Sequence, residues 1–124
     1  MAAEIPERPA VYAVELRTAR WTELVAWYRD VLGLRVLVRS SEDGYALLAA
    51  GDVRLASLAR PQAAGSSDRW SLAFEVADLD AVRARIGATP SAPGEPTTHA
   101  EGYREFSVTD PDGNRLRLFA WPIR

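Results

Sequence analysis

The chain has 124 residues, of which 48% are hydrophobic and 26% are charged, and its formal net charge is −2. This length and composition predict one globular domain, residues 1–124, with a hydrophobic core. The weakly acidic balance excludes the basic surface that nucleic-acid binding requires. No apolar run approaches the roughly 20 residues that cross a bilayer, and the N-terminal sequence is unlike a signal peptide, so we predict a cytoplasmic protein with no membrane partner.

Missing residue types limit the chemistry of any site. The chain contains no cysteine, a single histidine (His99), and fifteen basic residues that are all arginine. Disulfides, thiolate nucleophiles and lysine Schiff bases are therefore excluded. A metal site made of several histidines cannot be built from one copy of the chain.

The first half of the chain predicts a strand, a helix and three further strands. Residues 11–18 alternate between apolar and polar side chains, which is typical of a strand. Apolar residues between Arg20 and Leu32 recur at helical spacing and form one stripe, and Gly33 is a typical helix stop. Three short strands are predicted at 34–39, 45–50 and 53–59, separated by turn-forming residues.

The same order of elements restarts after a break. Residues 61–69 include Pro61, Gly65, Ser66 and Ser67, a composition that predicts a linker. A strand is predicted at 70–76, and a helix at 79–86 that Asp78 caps and Gly87 ends. Because proline lacks a backbone N–H, the next predicted strand, at 89–94, is placed at a sheet edge.

The end of the chain predicts a hairpin with two different faces. Residues 103–109 and 115–121 both alternate, and Asp-Pro-Asp-Gly-Asn between them is rich in turn formers. One face carries the apolar side chains Phe106, Val108, Leu116 and Leu118. The opposite face carries the polar and aromatic side chains Glu105, Arg117, Phe119 and Trp121. The hairpin therefore offers one side to a core and the other to a ligand or partner.

The two halves form an internal repeat, each a β-α-β-β-β unit of about 60 residues. We predict an α+β fold in which two tandem modules, about 10–60 and 70–121, form a curved mixed sheet around a cleft. This repeat, the segments WYRDVLGL (27–34) and AFEVADLD (73–80), and the hairpin sequence resemble the vicinal oxygen chelate superfamily. That superfamily holds glyoxalase I, extradiol dioxygenases and bleomycin-resistance proteins. The Arg104-Glu105-Phe106 variant looks most like the bleomycin-resistance branch.

The resemblance also implies where a metal would bind. Metal-using members place His or Glu ligands on strands that open or close each module. The corresponding residues in this chain are Ala13, Ser57, Ser71 and Arg117. None of these suits a divalent cation, so we predict neither a metal nor another cofactor. A register-shifted site is the alternative, and its candidate ligands are Glu15, Glu75, Glu105 and His99.

The aromatic side chains that share faces with charged residues indicate a ligand site. The predicted ligand-binding residues are Glu15, Arg17, Tyr45, Glu75, Tyr103, Arg117, Phe119 and Trp121. Aromatic faces bordered by arginine and glutamate suit a flat organic molecule with polar substituents. Because buried charges need partners, Glu15 and Glu75 are expected to pair with arginines in a polar cavity. His99 is expected in a loop, either solvated or at the cavity mouth.

Three functional hypotheses follow from these residues and the resemblance. The first is a metal-free binding protein, connected with antibiotic resistance, that sequesters a small aromatic compound between the subunits of a homodimer. The second is a superfamily enzyme, such as a lyase or isomerase, with or without a divalent metal. In it Glu15, Glu75 or Glu105 would transfer protons while Arg17 or Arg117 holds an anionic substrate. The third is a scaffold whose cleft is filled by its own side chains. The residue inventory favours binding over catalysis.

Overall fold

The computed structural model describes residues 7–122. Its elements are β1 (Ala13–Thr18), α1 (Trp21–Asp30), β2 (Arg35–Ser40), β3 (Tyr45–Ala50), β4 (Val53–Ala59), β5 (Leu72–Glu75), α2 (Leu79–Gly87), β6 (Thr97–Thr98), β7 (Arg104–Thr109) and β8 (Arg115–Ala120). The predicted α+β fold of two tandem β-α-β-β-β modules is confirmed. The N-terminal sequence compared above with a signal peptide lies largely outside the described residues. Neither helix within 7–122 is long and apolar enough to span a membrane.

Each module forms its own four-stranded mixed sheet. In the first sheet the strand order is β1-β4-β3-β2, and in the second it is β5-β8-β7-β6. The opening strand of each module pairs in parallel with the closing strand, and the remaining pairs are antiparallel. The two modules therefore repeat one topology, as the sequence repeat predicts.

Both sheets pack against one hydrophobic core that also contains the helices. The apolar stripe of α1 buries Trp21, Leu24, Val25, Trp27 and Tyr28. Each sheet adds the side chains of one face, which we call its inner face. The inner-face core residues are Leu16, Leu48 and Leu55 in the first sheet and Phe106, Val108, Leu116 and Leu118 in the second. Because side chains alternate along a strand, the opposite faces, here called outer faces, turn away from this core.

Helix α1 is tied to the second module by hydrogen bonds. The Tyr28 hydroxyl donates to Oδ2 of Asp110 at 2.7 Å, and Nε1 of Trp27 donates to Oγ of Ser91 at 2.8 Å. Asp110 opens the turn between β7 and β8 and also accepts two backbone N–H bonds within that turn, each 2.9 Å long. Burial and the neighbouring Asp110 carboxylate raise the pKa of the Tyr28 phenol. The turn is thereby held at a fixed position against the first module.

The predicted strand at 89–94 is wrong. The sheet instead gains the short strand β6, in which Thr97 pairs with Glu105 and Thr98 pairs with Arg104. The proline-rich stretch before it cannot supply a regular ladder of N–H donors, and its recorded bond to β7 runs from the Gly94 N–H to the Ser107 carbonyl. Pairing therefore starts only after the last proline of this stretch.

Candidate ligand-binding site

The outer face of the second sheet brings together several predicted site residues. Alternate residues of β8 place Arg117 and Phe119 on this face, and Trp121 follows just past the strand end. The register sets Glu105 of β7 opposite Phe119. Tyr103 directly precedes β7 and joins the same group, so four of the eight predicted ligand-binding residues lie together.

Three aromatic rings form the apolar part of this group. Ring centroids are 6.2 Å apart for Tyr103 and Phe119, 5.3 Å for Tyr103 and Trp121, and 6.2 Å for Phe119 and Trp121. All three pairs meet edge to face, at 62° to 87°, and we call this trio the aromatic cluster. Trp121 is 44% exposed, so the cluster presents ring surface to solvent. Exposed, clustered rings of this kind are typical of ligand-contact surfaces.

A charged pair lies at the edge of the aromatic cluster. Nη1 of Arg117 donates to Oε2 of Glu105, whose side chain is only 17% exposed. The His99 ring stacks on Tyr103, with centroids 4.3 Å apart and planes 14° apart. Its Nε2 lies 3.3 Å from Oε1 of Glu105 but makes no hydrogen bond. His99, expected in a loop, thus contacts the cluster and covers one face of Tyr103.

The predicted residues of the first module lie on a different surface. Arg17 and Tyr45 are in one row on the outer face of the first sheet, on either side of Leu58. Nη2 of Arg17 is 3.9 Å from Oε1 of Glu15, and both side chains are more than half exposed, so this pair is weak. No hydrogen bond or ion pair within residues 7–122 links these three side chains to the aromatic cluster.

Glu75 occupies an intermediate position. It is paired in register with Phe119 on the edge strand β5, which places it beside the aromatic cluster. It is exposed and has no ion-pair partner in the part of the chain that the structure describes. Glu15 therefore pairs with Arg17 as expected, although at the surface and not in a polar cavity, whereas Glu75 has no ion pair within residues 7–122.

The structure does not assemble a metal site from one chain. Within residues 7–122, no three His, Cys, Asp or Glu side chains are grouped so that they could hold an ion, and the register-shifted site is not formed. Ser57, expected at a ligand position, lies on the inner face beside Leu16 and is buried. Arg117, at another such position, carries a positive charge and donates a hydrogen bond to Glu105. The residues at the superfamily's ligand positions therefore do not fit a divalent cation.

A groove of about 460 Å³ adjoins the charged end of this outer face. Its walls are residues 66–71 together with Gly113, Arg115 and Arg117. Part of the predicted linker therefore forms a surface of the site, and sequence reasoning missed Arg69, Trp70 and Arg115. The available signal was the regular spacing of Arg115, Arg117 and Phe119 on one strand face.

A second groove, of about 530 Å³, runs between the edges of the two sheets. Apolar side chains of β1, β4 and β5 line it, including Val14, Leu55 and Phe74, and Arg54, Arg85 and Glu75 add charge. β1 and β5 each stand at the end of a sheet, so this groove follows two strand edges that have no partner within residues 7–122.

Paired β-α-β-β-β modules with an aromatic and charged outer face define the class of protein, a two-module fold with a candidate small-molecule site. A family model described as the Glyoxalase/Bleomycin resistance protein/Dioxygenase superfamily matches residues 11–118. The chain belongs to this superfamily, as the sequence resemblance predicted.

The fold of this chain is similar to those of several solved structures, and these proteins carry different names. A putative glyoxalase family protein from Bacillus anthracis has a TM-score of 0.77 at 17% identity, over 94% of this chain and 98% of that chain. Lactoylglutathione lyase from Agrobacterium tumefaciens has a TM-score of 0.72 at 16% identity, over 95% and 100%. TioX from Micromonospora sp. ML1 has a TM-score of 0.74 at 21% identity, over 90% and 98%. The sequence has no significant match among curated proteins.

Proposed function

We propose that this protein is a metal-free binding protein of the bleomycin-resistance type, which sequesters a small aromatic compound and so protects against an antibiotic-like molecule. The observation that carries the proposal is the aromatic cluster of Tyr103, Phe119 and Trp121 on the outer face of the second sheet. The three centroids lie within 6.2 Å of one another and Trp121 is 44% exposed. Ring surface of this kind contributes binding energy by stacking, without a nucleophile or a metal.

The polar residues support binding more than proton transfer. A catalytic base needs a free carboxylate within reach of the substrate, whereas Glu105 is held by Arg117. Glu15 is exposed on the other sheet, and Glu75 stands at the edge of the cluster, across Phe119 from Glu105. The lyase among the structural neighbours makes the enzyme hypothesis worth testing. That hypothesis would require Glu75 to act as the only catalytic carboxylate.

We extend the proposal to a homodimer in which the outer face of the second sheet meets the outer face of the first sheet of another copy. Several large apolar side chains are exposed near these faces, and they are Val11, Tyr12, Val38, Trp70 and Trp121. Exposed apolar surface next to unpaired strand edges favours association. The arrangement would bring the predicted residues of the first module, Glu15, Arg17 and Tyr45, to the same cleft as the aromatic cluster.

The dimer is tested by light scattering on a sizing column. Val38→Asp places a charge on the outer face of β2, where Val38 is 50% exposed, and is expected to shift the mass from that of a dimer to that of a monomer. Val38→Thr, which keeps the branched shape, is the matched control. A wild-type protein that is already monomeric at micromolar concentration would contradict the dimer.

Binding itself is tested by titration calorimetry and tryptophan fluorescence with a panel of aromatic antibiotics that includes bleomycin. We expect at least one saturable interaction with a micromolar or tighter Kd that a chelator leaves unchanged. Phe119→Ala is expected to weaken it about fivefold or more, since a stacked ring contributes about 1 kcal/mol beyond its buried area. Phe119→Leu is the control that keeps apolar volume without the ring. Stoichiometric tight binding of a divalent metal, or binding lost on chelation, would overturn the proposal.

A further inference from the structure

We propose that the aromatic ligand carries a carboxylate, which binds in the groove of about 460 Å³ next to the aromatic cluster. This inference rests on the proposed function, because it assigns a chemical class to the ligand of the same outer face. We call this groove, lined by residues 66–71, Gly113, Arg115 and Arg117, the arginine groove.

The arginine groove has an excess of positive charge that the ion pairs of residues 7–122 do not neutralise. Its charged wall residues are Asp68, Arg69, Arg115 and Arg117. Glu105 neutralises Arg117, while Arg69 and Arg115 have no ion pair within residues 7–122. With Asp68 set against these two arginines, one net positive charge remains. That balance suits a monoanion rather than a phosphate dianion.

Arg115 is held in place with donors to spare. Its Nε and Nη2 donate to Oγ of Ser107, at 3.3 and 3.0 Å. A guanidinium carries five N–H donors, so this neutral acceptor positions the group without consuming its charge. A planar guanidinium fork matches the two oxygens of a carboxylate, which makes Arg115 the leading anchor of the proposed anion.

The segment predicted as a linker forms one wall of the groove, because it approaches the β7–β8 turn closely. Gly113 has φ +87, and a Cβ at this position would lie 3.2 Å from Oγ of Ser66. Only glycine combines this conformation with so close a neighbour at little cost. Ser67 Oγ accepts the Arg69 backbone N–H at 3.2 Å, which orders the segment that carries Arg69 and Trp70. Trp70, 44% exposed, adds an aromatic wall to the cationic groove.

The spacing along β8 sets the shape of the ligand. Arg115, Arg117 and Phe119 occupy alternate positions on one strand face, and a strand rises about 3.3 Å per residue, so about 13 Å separates the first from the last Cα. A long arginine side chain shortens the distance that the ligand must span. An aromatic ring system on the cluster, joined to a carboxylate by a short chain, meets both ends of this surface.

One feature of the outer face favours a ligand with a positive charge. The exposed Glu75 carboxylate beside Phe119 has no ion pair among residues 7–122, and an organic cation above the aromatic rings would satisfy it. The arginine groove outweighs it, because two guanidiniums without an ion pair in the described part of the chain and a shaped cavity oppose a single solvated carboxylate at a strand edge. The test therefore includes a cationic probe.

Three probes with one skeleton separate these charges: naphthylbutanoic acid, its primary amide, and naphthylbutylamine. We expect calorimetry at low salt to show the acid binding about tenfold tighter than the amide, the gain typical of a charge-assisted hydrogen bond, and the amine binding more weakly than the amide. The advantage of the acid is expected to shrink as sodium chloride is raised. Equal binding of acid and amide, or tightest binding of the amine, would overturn the inference while leaving the aromatic site standing.

Substitutions of the groove arginines test where the carboxylate of the acid binds. Arg115→Gln and Arg69→Gln are each expected to reduce the acid-to-amide ratio severalfold and to leave the affinity for the amide unchanged. Arg60→Gln is the matched control: this exposed arginine donates to the neighbouring Ala59 carbonyl and lies outside the arginine groove, so the ratio should persist. A ratio that survives both groove substitutions would overturn the inference. Failure of all three probes to bind the wild type would instead refute the proposed function, and the carboxylate with it.

Discussion

The two sheets of this protein share one strand order and one core, yet their outer faces differ. The first sheet carries small and aliphatic side chains there, such as Ala49 and Leu58, interspersed with arginines and one exposed ion pair. The second carries three clustered aromatic rings, a partly buried ion pair and a cationic groove. The inner faces are alike because each must fill the same core. The contrast is what the proposed function requires: the repeat supplies the architecture, and the proposed ligand contacts lie mainly on the outer face of the second sheet.

The largest expected effect separates the two faces of a single strand. Leu118 and Phe119 are neighbours on β8, but Leu118 is buried in the core and Phe119 lies on the outer face. Leu118→Ala is expected to lower the free energy of unfolding by about 2–5 kcal/mol, from lost burial and the resulting cavity. Phe119→Ala is expected to cost about 1 kcal/mol or less and to act mainly on ligand binding. Chemical denaturation measures both. Equal destabilisation would show that Phe119 belongs to the core.

A smaller effect concerns the bond that joins the modules. Tyr28→Phe removes the hydroxyl that donates to Asp110 and is expected to cost about 1 kcal/mol at neutral pH. The pKa of the Tyr28 phenol is raised in the folded state, so the unfolded chain loses this proton first as the pH rises. The contribution of Tyr28 to the free energy of unfolding is therefore fully present below about pH 10. Above that pH it falls by about 1.4 kcal/mol per pH unit. The phenylalanine variant has no phenol at this position, so its free energy of unfolding lacks this pH dependence. The difference in stability between the two proteins should therefore shrink above about pH 10 and reverse near about pH 11, and a constant difference would contradict the buried position of Tyr28.

The smallest effects compare the ion pairs of the two outer faces. Arg117→Gln leaves the largely buried Glu105 without its guanidinium partner and is expected to cost about 1 kcal/mol, since partial exposure of Arg117 screens the pair. Arg17→Gln removes the exposed pair with Glu15 and is expected to change stability by less than about 0.5 kcal/mol. Thermal unfolding at low and high salt distinguishes them. Equal costs would mean that the two outer faces are electrostatically alike.

Local sequence patterns predicted most of the fold. The apolar stripe of α1 and the alternation around the final turn identified the helix and the hairpin with their buried faces. The short strand β6 was misplaced because proline and threonine segments carry little periodicity. Ser57 was matched to a ligand position although it lies on the inner face, because its strand, β4, is apolar on both faces and shows no clear alternation.

The site was predictable only where it depends on one strand pair. Tyr103, Arg117, Phe119 and Trp121 come together through β7–β8 pairing, which alternation reveals. Arg69 and Trp70 reach the groove through a tertiary contact at Gly113, which glycine-rich and serine-rich composition conceals. The grouping of Glu15, Arg17 and Tyr45 with the aromatic cluster requires a second copy of the chain and stays a prediction.

The central claim, metal-free binding of an aromatic compound at the second outer face, is most directly tested by the tryptophan indole N–H signals in a nitrogen-15 NMR spectrum. Trp21 and Trp27 are buried and hydrogen-bonded to the Ser57 carbonyl and the Ser91 hydroxyl, whereas Trp70 and Trp121 are each 44% exposed. With naphthylbutanoic acid added in the presence of a chelator, we predict that the Trp121 signal shifts strongly, that Trp70 shifts less, and that Trp21 and Trp27 stay in place. An unmoved Trp121 signal at saturating probe, or shifts that appear only after a divalent metal is supplied, would contradict the account.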